Sequence, residues 1–189
     1  TKYLKKFLKD EKINKILVIC GEKSFKGSGA NKIFEGLFND KKVEFYFKKY
    51  SIPNHLELQH IINFIKVFSP NLIISVGGGS VLDYAKIANA LTNSDNLKEE
   101  IINSTYNAKN KFAKLIAIPT TAGSGAEVTP NAVIYIDKIK YSIEGDQLKP
   151  DQFFLIPELV LTASKKIKSS AGFDAIAQAI ESLISRRSN

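Results

Sequence analysis

The stretch Asn71-Leu-Ile-Ile-Ser-Val-Gly-Gly-Gly-Ser80-Val-Leu-Asp83-Tyr-Ala-Lys86 decides how the rest of the chain is read. Leu72 to Val76 is a short apolar run rich in β-branched residues, the pattern of a buried strand. Three glycines follow, where the backbone turns tightly and stays bare. Ser80 is placed to cap the next segment, in which Leu82, Ala85 and Leu91 recur at roughly helical spacing. Strand, glycine turn and helix start make an anion site in that order. The first amides of a helix lack carbonyl partners, and its dipole adds positive potential there. A phosphate or pyrophosphate is the natural guest. A plain βα turn also favours glycine, so the decision comes from farther along the chain.

Upstream, residues 1–12 form a lysine-rich amphipathic stretch with Leu4, Phe7 and Leu8 on one side, read as a short helix. Lys15 to Cys20 reads as a buried strand. Gly21 opens a loop over Glu22 to Gly29, followed by a helix at about 30–39 and a second strand at Val43 to Phe47. Pro53-Asn54 starts the next helix, which carries Leu56, Ile61, Ile62, Ile65 and Phe68 and stops at Ser69-Pro70. The order β-α-β-α-β-α with apolar strands predicts an α/β fold. Its sheet is doubly wound and mostly parallel, with ligands at the carboxyl ends of the strands.

Downstream, Asn93 to Lys111 is polar, a loop with a short helix. Lys114 to Ile118 is another strand, followed by the hydroxyl-rich loop Pro119-Thr-Thr-Ala-Gly-Ser-Gly-Ala-Glu127. Residues 128–136 and 140–143 read as a hairpin around Asp137-Lys138. Phe153 to Ile156 is a last short strand that Pro157 closes, and after Thr162 the pattern turns helical. The domain boundary is placed near Pro157.

The chain has 189 residues, 44% hydrophobic and 24% charged. That length suits one large domain, or one domain and part of another. No apolar run reaches membrane-spanning length and no signal-peptide pattern opens the sequence, so no membrane partner is expected. The single cysteine, Cys20, excludes an internal disulfide framework and fits a cytoplasmic location; ending an apolar strand, it reads as a buried, inert thiol. The net charge of +8 comes almost wholly from scattered lysines, Arg186 and Arg187 being the only arginines. Without a basic stripe or a reading module, no nucleic-acid partner is expected. The sequence starts at Thr1 and stops at Asn189 directly after a helical pattern, so both ends are expected to be cut from something longer.

Three motifs now stand together. Gly77-Gly-Gly-Ser-Val-Leu-Asp83-Tyr-Ala-Lys86 resembles the GGGSxxDxAK signature of the iron-containing (group III) alcohol dehydrogenase family. Ile118-Pro-Thr-Thr-Ala-Gly-Ser-Gly-Ala-Glu-Val-Thr129 resembles its PTTAGTGSEVT signature, and Ala171-Gly-Phe-Asp174-Ala-Ile-Ala-Gln178-Ala-Ile-Glu-Ser182 resembles its GxDAxxHAIE metal helix. The resemblance covers essentially the whole chain but only about the first half of a typical member. It divides the chain into a dinucleotide-binding α/β domain, 1–157, and the first part of an all-helical metal and substrate domain, 158–189. Thr129 to Ile134, Lys140 to Ile143 and Gln178 to Ser182 lean towards the branch that resembles phosphonoacetaldehyde reductases.

The resemblance implies hydride transfer between NAD or NADP and a small, possibly anionic, alcohol or aldehyde, in a homodimer when full length. It implies that Gly77, Gly78, Gly79 and Ser80 hold the pyrophosphate, with Asp83 beside them in the first helical turn. It sets Thr120 and Thr121 on the adenosine side, Ser124 nearer the nicotinamide and Lys140 at the nicotinamide ribose. Lys86 is expected to pack or pair. Asp174, the catalytic and metal residue, and Gln178 are four apart on a helix and face one way. Most of the family has His at the second position, and an amide oxygen is a poorer ligand than imidazole for the divalent metal, Fe or Zn. His55 and His60 are five apart, off ligand spacing, and read as surface residues. The second strand is followed by Lys48-Lys49-Tyr50 rather than an acidic residue, which favours a 2′-phosphate and so NADP. Two other classes stay open at this point: a dehydroquinate synthase-like lyase of the same architecture, and a nucleotide-binding fragment without turnover.

Overall fold

The computed structural model describes residues 2–9, 13–38 and 41–185. In chain order the elements are α1 (Lys2–Leu8), β1 (Lys15–Gly21), α2 (Glu22–Gly27), α3 (Ala30–Phe34), β2 (Lys42–Lys48), α4 (His55–Phe68), β3 (Leu72–Gly77) and α5 (Gly79–Ala90). Then come α6 (Leu97–Ile102), β4 (Lys114–Pro119), β5 (Asn131–Ile136), β6 (Ile139–Glu144), β7 (Gln152–Phe153), α7 (Pro157–Leu161) and α8 (Lys165–Ile184).

Five strands form one parallel sheet in the order β2-β1-β3-β4-β7. Every residue of β3 is buried, as a central strand covered on both faces requires. Alternate side chains feed two cores. Leu17, Ile19, Ile73 and Leu115 pack with α4, α5 and α6, while Ile16, Val18, Ile74 and Ile116 pack with α1, α2, α3 and α7. β5 and β6 pair as an antiparallel hairpin against α5. The expected doubly wound α/β sheet is therefore present. Its strand order reverses between β1 and β3, and a cleft opens above that point because crossovers leave in opposite directions.

Several local expectations differ. Residues 22–27 are helical rather than loop, because Phe25 is buried against Phe34 and Phe45 and winds the segment onto the sheet. The helix expected at 30–39 stops at Phe34; Asn39 lies outside the described residues. Residues 10–12 of the first expected helix also lie outside them. The last strand pairs only at Gln152 and Phe153, since Ile156 turns inward and Pro157 opens α7 at its first turn, where a missing N–H costs nothing.

Candidate active site

The carboxyl ends of β1, β3 and β4 meet at one rim, with Gly77 of β3 in register with Pro119 of β4. The Thr120 N–H donates to the Gly77 carbonyl at 2.9 Å, which ties the hydroxyl-rich loop to the glycine turn. Gly77 is buried beneath the turn. A Cβ there would lie 2.5 Å from Val81 Cγ2, so only glycine lets α5 leave the strand this steeply. The N-cap is Gly78 rather than Ser80; it has no side chain to cap with, and its carbonyl accepts the Val81 N–H at 2.9 Å. Ser80 is the second residue of the helix, in its first turn and half-buried. The amides at the start of α5 are thus left for a ligand.

The opposite wall is the loop after β4. A Cβ built on Gly78 would sit 3.3 Å from Thr121 Oγ1, and one built on Gly79 would sit 3.4 Å from Ser124 Oγ. Two cavities open between the walls. The first, about 450 Å³, is lined by Gly78, Ser80, Thr120 and Thr121, by Lys23 and Ser24 at the start of α2, and by Lys48 at the end of β2. The second, about 320 Å³, is lined by Gly79, Ser80, Asp83, Thr121, Ser124, Lys140, Asp174 and Gln178. Ser80 and Thr121 border both, so the two make one groove. The structure brings together every expected site residue; Gly77 alone lies below the groove rather than on its wall.

Charge is arranged along this groove. Burial pushes the Asp83 carboxyl up to about 6, against the pull of Lys86, a hydrogen bond from the Val133 N–H, and Lys140. Burial lowers the Lys48 ammonium, with Glu57 working the other way. Asp174 and Gln178 are both exposed on α8, whose Ala171 carbonyl would lie 3.0 Å from a Cβ on Gly123. As donors they are one carboxylate and one amide. No group of three or more His, Cys, Asp or Glu gathers among the described residues. The two fit part of a metal shell, since a catalytic metal usually takes three protein ligands. His55 and His60 lie on α4, and neither lines the groove.

Sequence reasoning missed Lys23 and Ser24, because a segment read as a loop gave no direction for its side chains. It also missed Glu57, which is buried. Asn54 and Glu57 have the spacing of a capping box, and Asn54 Oδ1 does accept the Glu57 N–H at 3.0 Å. The Glu57 carboxylate instead takes the N–H groups of Lys49 and Tyr50, and so shapes the loop after β2. Lys49 does not reach the groove; Lys48 does.

The profile of iron-containing alcohol dehydrogenases matches residues 1–157. The chain belongs to this family. It is 32% identical over 135 residues to an alcohol dehydrogenase of Thermococcus barophilus, covering 68% of this chain and 36% of that protein. It is 32% identical over 160 residues to an NADPH-dependent butanol dehydrogenase of Clostridium saccharobutylicum, covering 81% of this chain and 37% of that one. The sulfoacetaldehyde reductase of Bifidobacterium kashiwanohense, solved with NAD+, superposes with a TM-score of 0.85 at 26% identity, over 96% of this chain and 49% of the reductase. The chain thus spans half or less of the length of these relatives. Members of this oxidoreductase family use NAD(P) and a divalent metal.

Proposed function

We propose that the whole protein is an NAD(P)-dependent alcohol dehydrogenase or aldehyde reductase. These residues would carry its dinucleotide site and two of its metal donors. The observation that carries this reading is the single groove that starts at β1 and β2, crosses the glycine turn, and ends on Asp174 and Gln178.

The pyrophosphate lies over Gly78, Gly79 and Ser80, where bare backbone and the first amides of α5 meet it. Gly77 supports the turn from below. Thr120 and Thr121 hold the adenosine side, Ser124 and Lys140 the nicotinamide side, and Asp83 stands between the turn and Lys140. NADP is favoured over NAD: Lys48 and Lys23 face the first cavity and suit a 2′-phosphate, and a relative is NADPH-dependent. Asp174 and Gln178 hold part of the shell of a divalent metal, Fe or Zn. A bound nicotinamide supplies the hydride, and a bound metal polarises the carbonyl that receives it.

The substrate is a small alcohol or aldehyde. A negatively charged one suits the exposed Lys140 at the groove's second cavity, and a structural relative is a sulfoacetaldehyde reductase. Residues 158–189 begin a helical domain that meets the α/β domain near Pro157, and the whole protein is a cytoplasmic homodimer. This last part rests on the family resemblance and on Cys20, which is buried with its thiol pushed up to about 12.

The test is oxidation of NADPH and NADH by the intact protein with a panel of small aldehydes, with and without Fe or Zn. Metal-dependent turnover, faster with NADPH, is expected, and Lys48→Ala should lower NADPH affinity about tenfold with little change for NADH. No dinucleotide binding at all would overturn the reading. Binding without turnover on any aldehyde would favour the lyase or nucleotide binding without turnover.

A further inference from the structure

Lys86 is fully buried, yet it faces the groove's supports rather than the groove. Its ammonium donates to the Ala126 carbonyl at 2.9 Å, the Thr129 hydroxyl at 3.1 Å and the Asn131 carbonyl. Those acceptors span the end of the hydroxyl-rich loop and the first residue of β5. One helical turn earlier, Asp83 accepts from the Val133 N–H of the same hairpin and lies near Lys140. One helix therefore grips both the far end of the loop, just past Ser124, and the hairpin that carries Lys140.

A buried lysine is a costly way to fill space. Burial pulls its ammonium down to about 8, against the charges of Asp83 and Glu127. An apolar side chain of similar length would avoid that desolvation. What an apolar chain lacks is three donors directed at three acceptors on separate segments. Packing alone leaves loops free to slide by fractions of an ångström, and groups that bind a ligand jointly tolerate little of that.

We propose that Lys86 is a positioning residue that sets Ser124 and Lys140 against the glycine turn, so that the nicotinamide half of the groove is formed before the dinucleotide arrives. This rests on the dinucleotide reading above. The adenosine half depends on the glycine turn, Thr120, Thr121, Lys23 and Lys48. Lys86 bonds to none of them, its acceptors being Ala126, Thr129 and Asn131, and Thr120 is tied to the Gly77 carbonyl instead, so the two halves respond differently to its loss.

The test compares the affinity of NADPH with that of 2′,5′-ADP in the intact protein and in Lys86→Met, with melting temperature as the control for folding. The expected result is about tenfold weaker NADPH binding in Lys86→Met, with 2′,5′-ADP changed less than about twofold. Lys86→Arg, which keeps donors in the cavity, should recover part of the NADPH affinity. If both ligands weaken in proportion, Lys86 acts only on the fold as a whole and the proposal is overturned; unchanged NADPH affinity overturns it too. If Lys86→Met does not fold, Thr129→Val removes one acceptor without removing the charge and is read the same way, with a smaller loss. Failure of the unmodified protein to bind either ligand would count against the dinucleotide site itself, a different outcome from failure of this proposal.

Discussion

Helices α5 and α8 border the same groove and live in different surroundings. α5 buries nine of its 12 residues, including Tyr84, Lys86 and Asn89, between the sheet and the hairpin. α8 buries none of its 20 and leaves Phe173, Ile176, Ile180, Leu183 and Ile184 exposed. α5 is held by burial on every side, so it tolerates polar residues only where each has partners. Asn89 pairs both ways with Ala113. α8 is held at its start by Ser164, whose hydroxyl accepts the Ile167 N–H at 3.3 Å, by Lys168, whose ammonium donates to the Leu161 carbonyl at 2.7 Å, and by the close approach of Ala171 to Gly123. The wall built on α5 is packed on all sides, while the wall that carries Asp174 and Gln178 stands on a helix whose apolar residues stay exposed among the described residues. On the proposed reading, the dinucleotide half of the site should thus work within these residues, and the metal half should need further ligands.

That contrast can be broken most sharply at Asp174. Asp174→Ala should lower turnover of the intact protein by about a thousandfold or more while dinucleotide affinity stays within about twofold. Steady-state kinetics beside a binding titration checks this, and full activity would detach the metal half from the reaction. Gly78→Val should do the reverse. The branched side chain would enter the space between Gly78 and Thr121, so affinity for NADPH should fall about a hundredfold or more in a protein that still folds.

Stability separates the two helices' surroundings next. Leu17→Ala, in the core beneath α5, should cost about 2–5 kcal/mol in denaturant titration of this chain. Ile180→Ala on the open face of α8 should cost under about 0.5 kcal/mol. A large loss at Ile180 would mean that α8 is packed after all.

The smallest effect concerns Asp83. Its folded-state carboxyl is raised to about 6 from an ordinary value of 3.8. Between those values the folded chain holds a proton that the unfolded chain has lost, so this group lowers stability progressively as pH rises from about 4 to about 6. Asp83→Asn removes the titration. Its melting temperature relative to the parent should therefore rise across that window and level off above it. A constant difference would mean that Asp83 is not buried as described.

Much of this was legible in the residues. The β-branched run Leu72–Val76 and its three glycines predicted a buried strand and a turn at its carboxyl end, because period and bareness are local properties. The hairpin around Asp137-Lys138 formed as expected, with both turn residues at positive φ. The glycine turn, Thr120, Thr121, Ser124, Lys140, Asp174 and Gln178 were all named from motifs, and they gather at one groove. The segment 22–27 was not legible as helix. Its winding depends on Phe25 meeting Phe34 and Phe45, and Phe45 is a contact far away in sequence. Glu57 was not singled out: it stands three residues after the N-cap Asn54, a capping-box spacing, but its carboxylate accepts from Lys49 and Tyr50 in the preceding loop, which local spacing does not reveal.

The sequence by itself determined the alternation of apolar strands and helices, the position of the bare turn, and the pairing of a carboxylate with an amide on one helical face. Those follow from spacing, which a chain carries without folding. Only the tertiary structure decided that Lys23 and Lys48 reach the same cavity, that Gly77 supports the turn from beneath, and that Lys86 spends its charge on three acceptors 40 to 45 residues away. Each of these depends on which strands lie side by side, and that order is set by long-range burial, which no local spacing records.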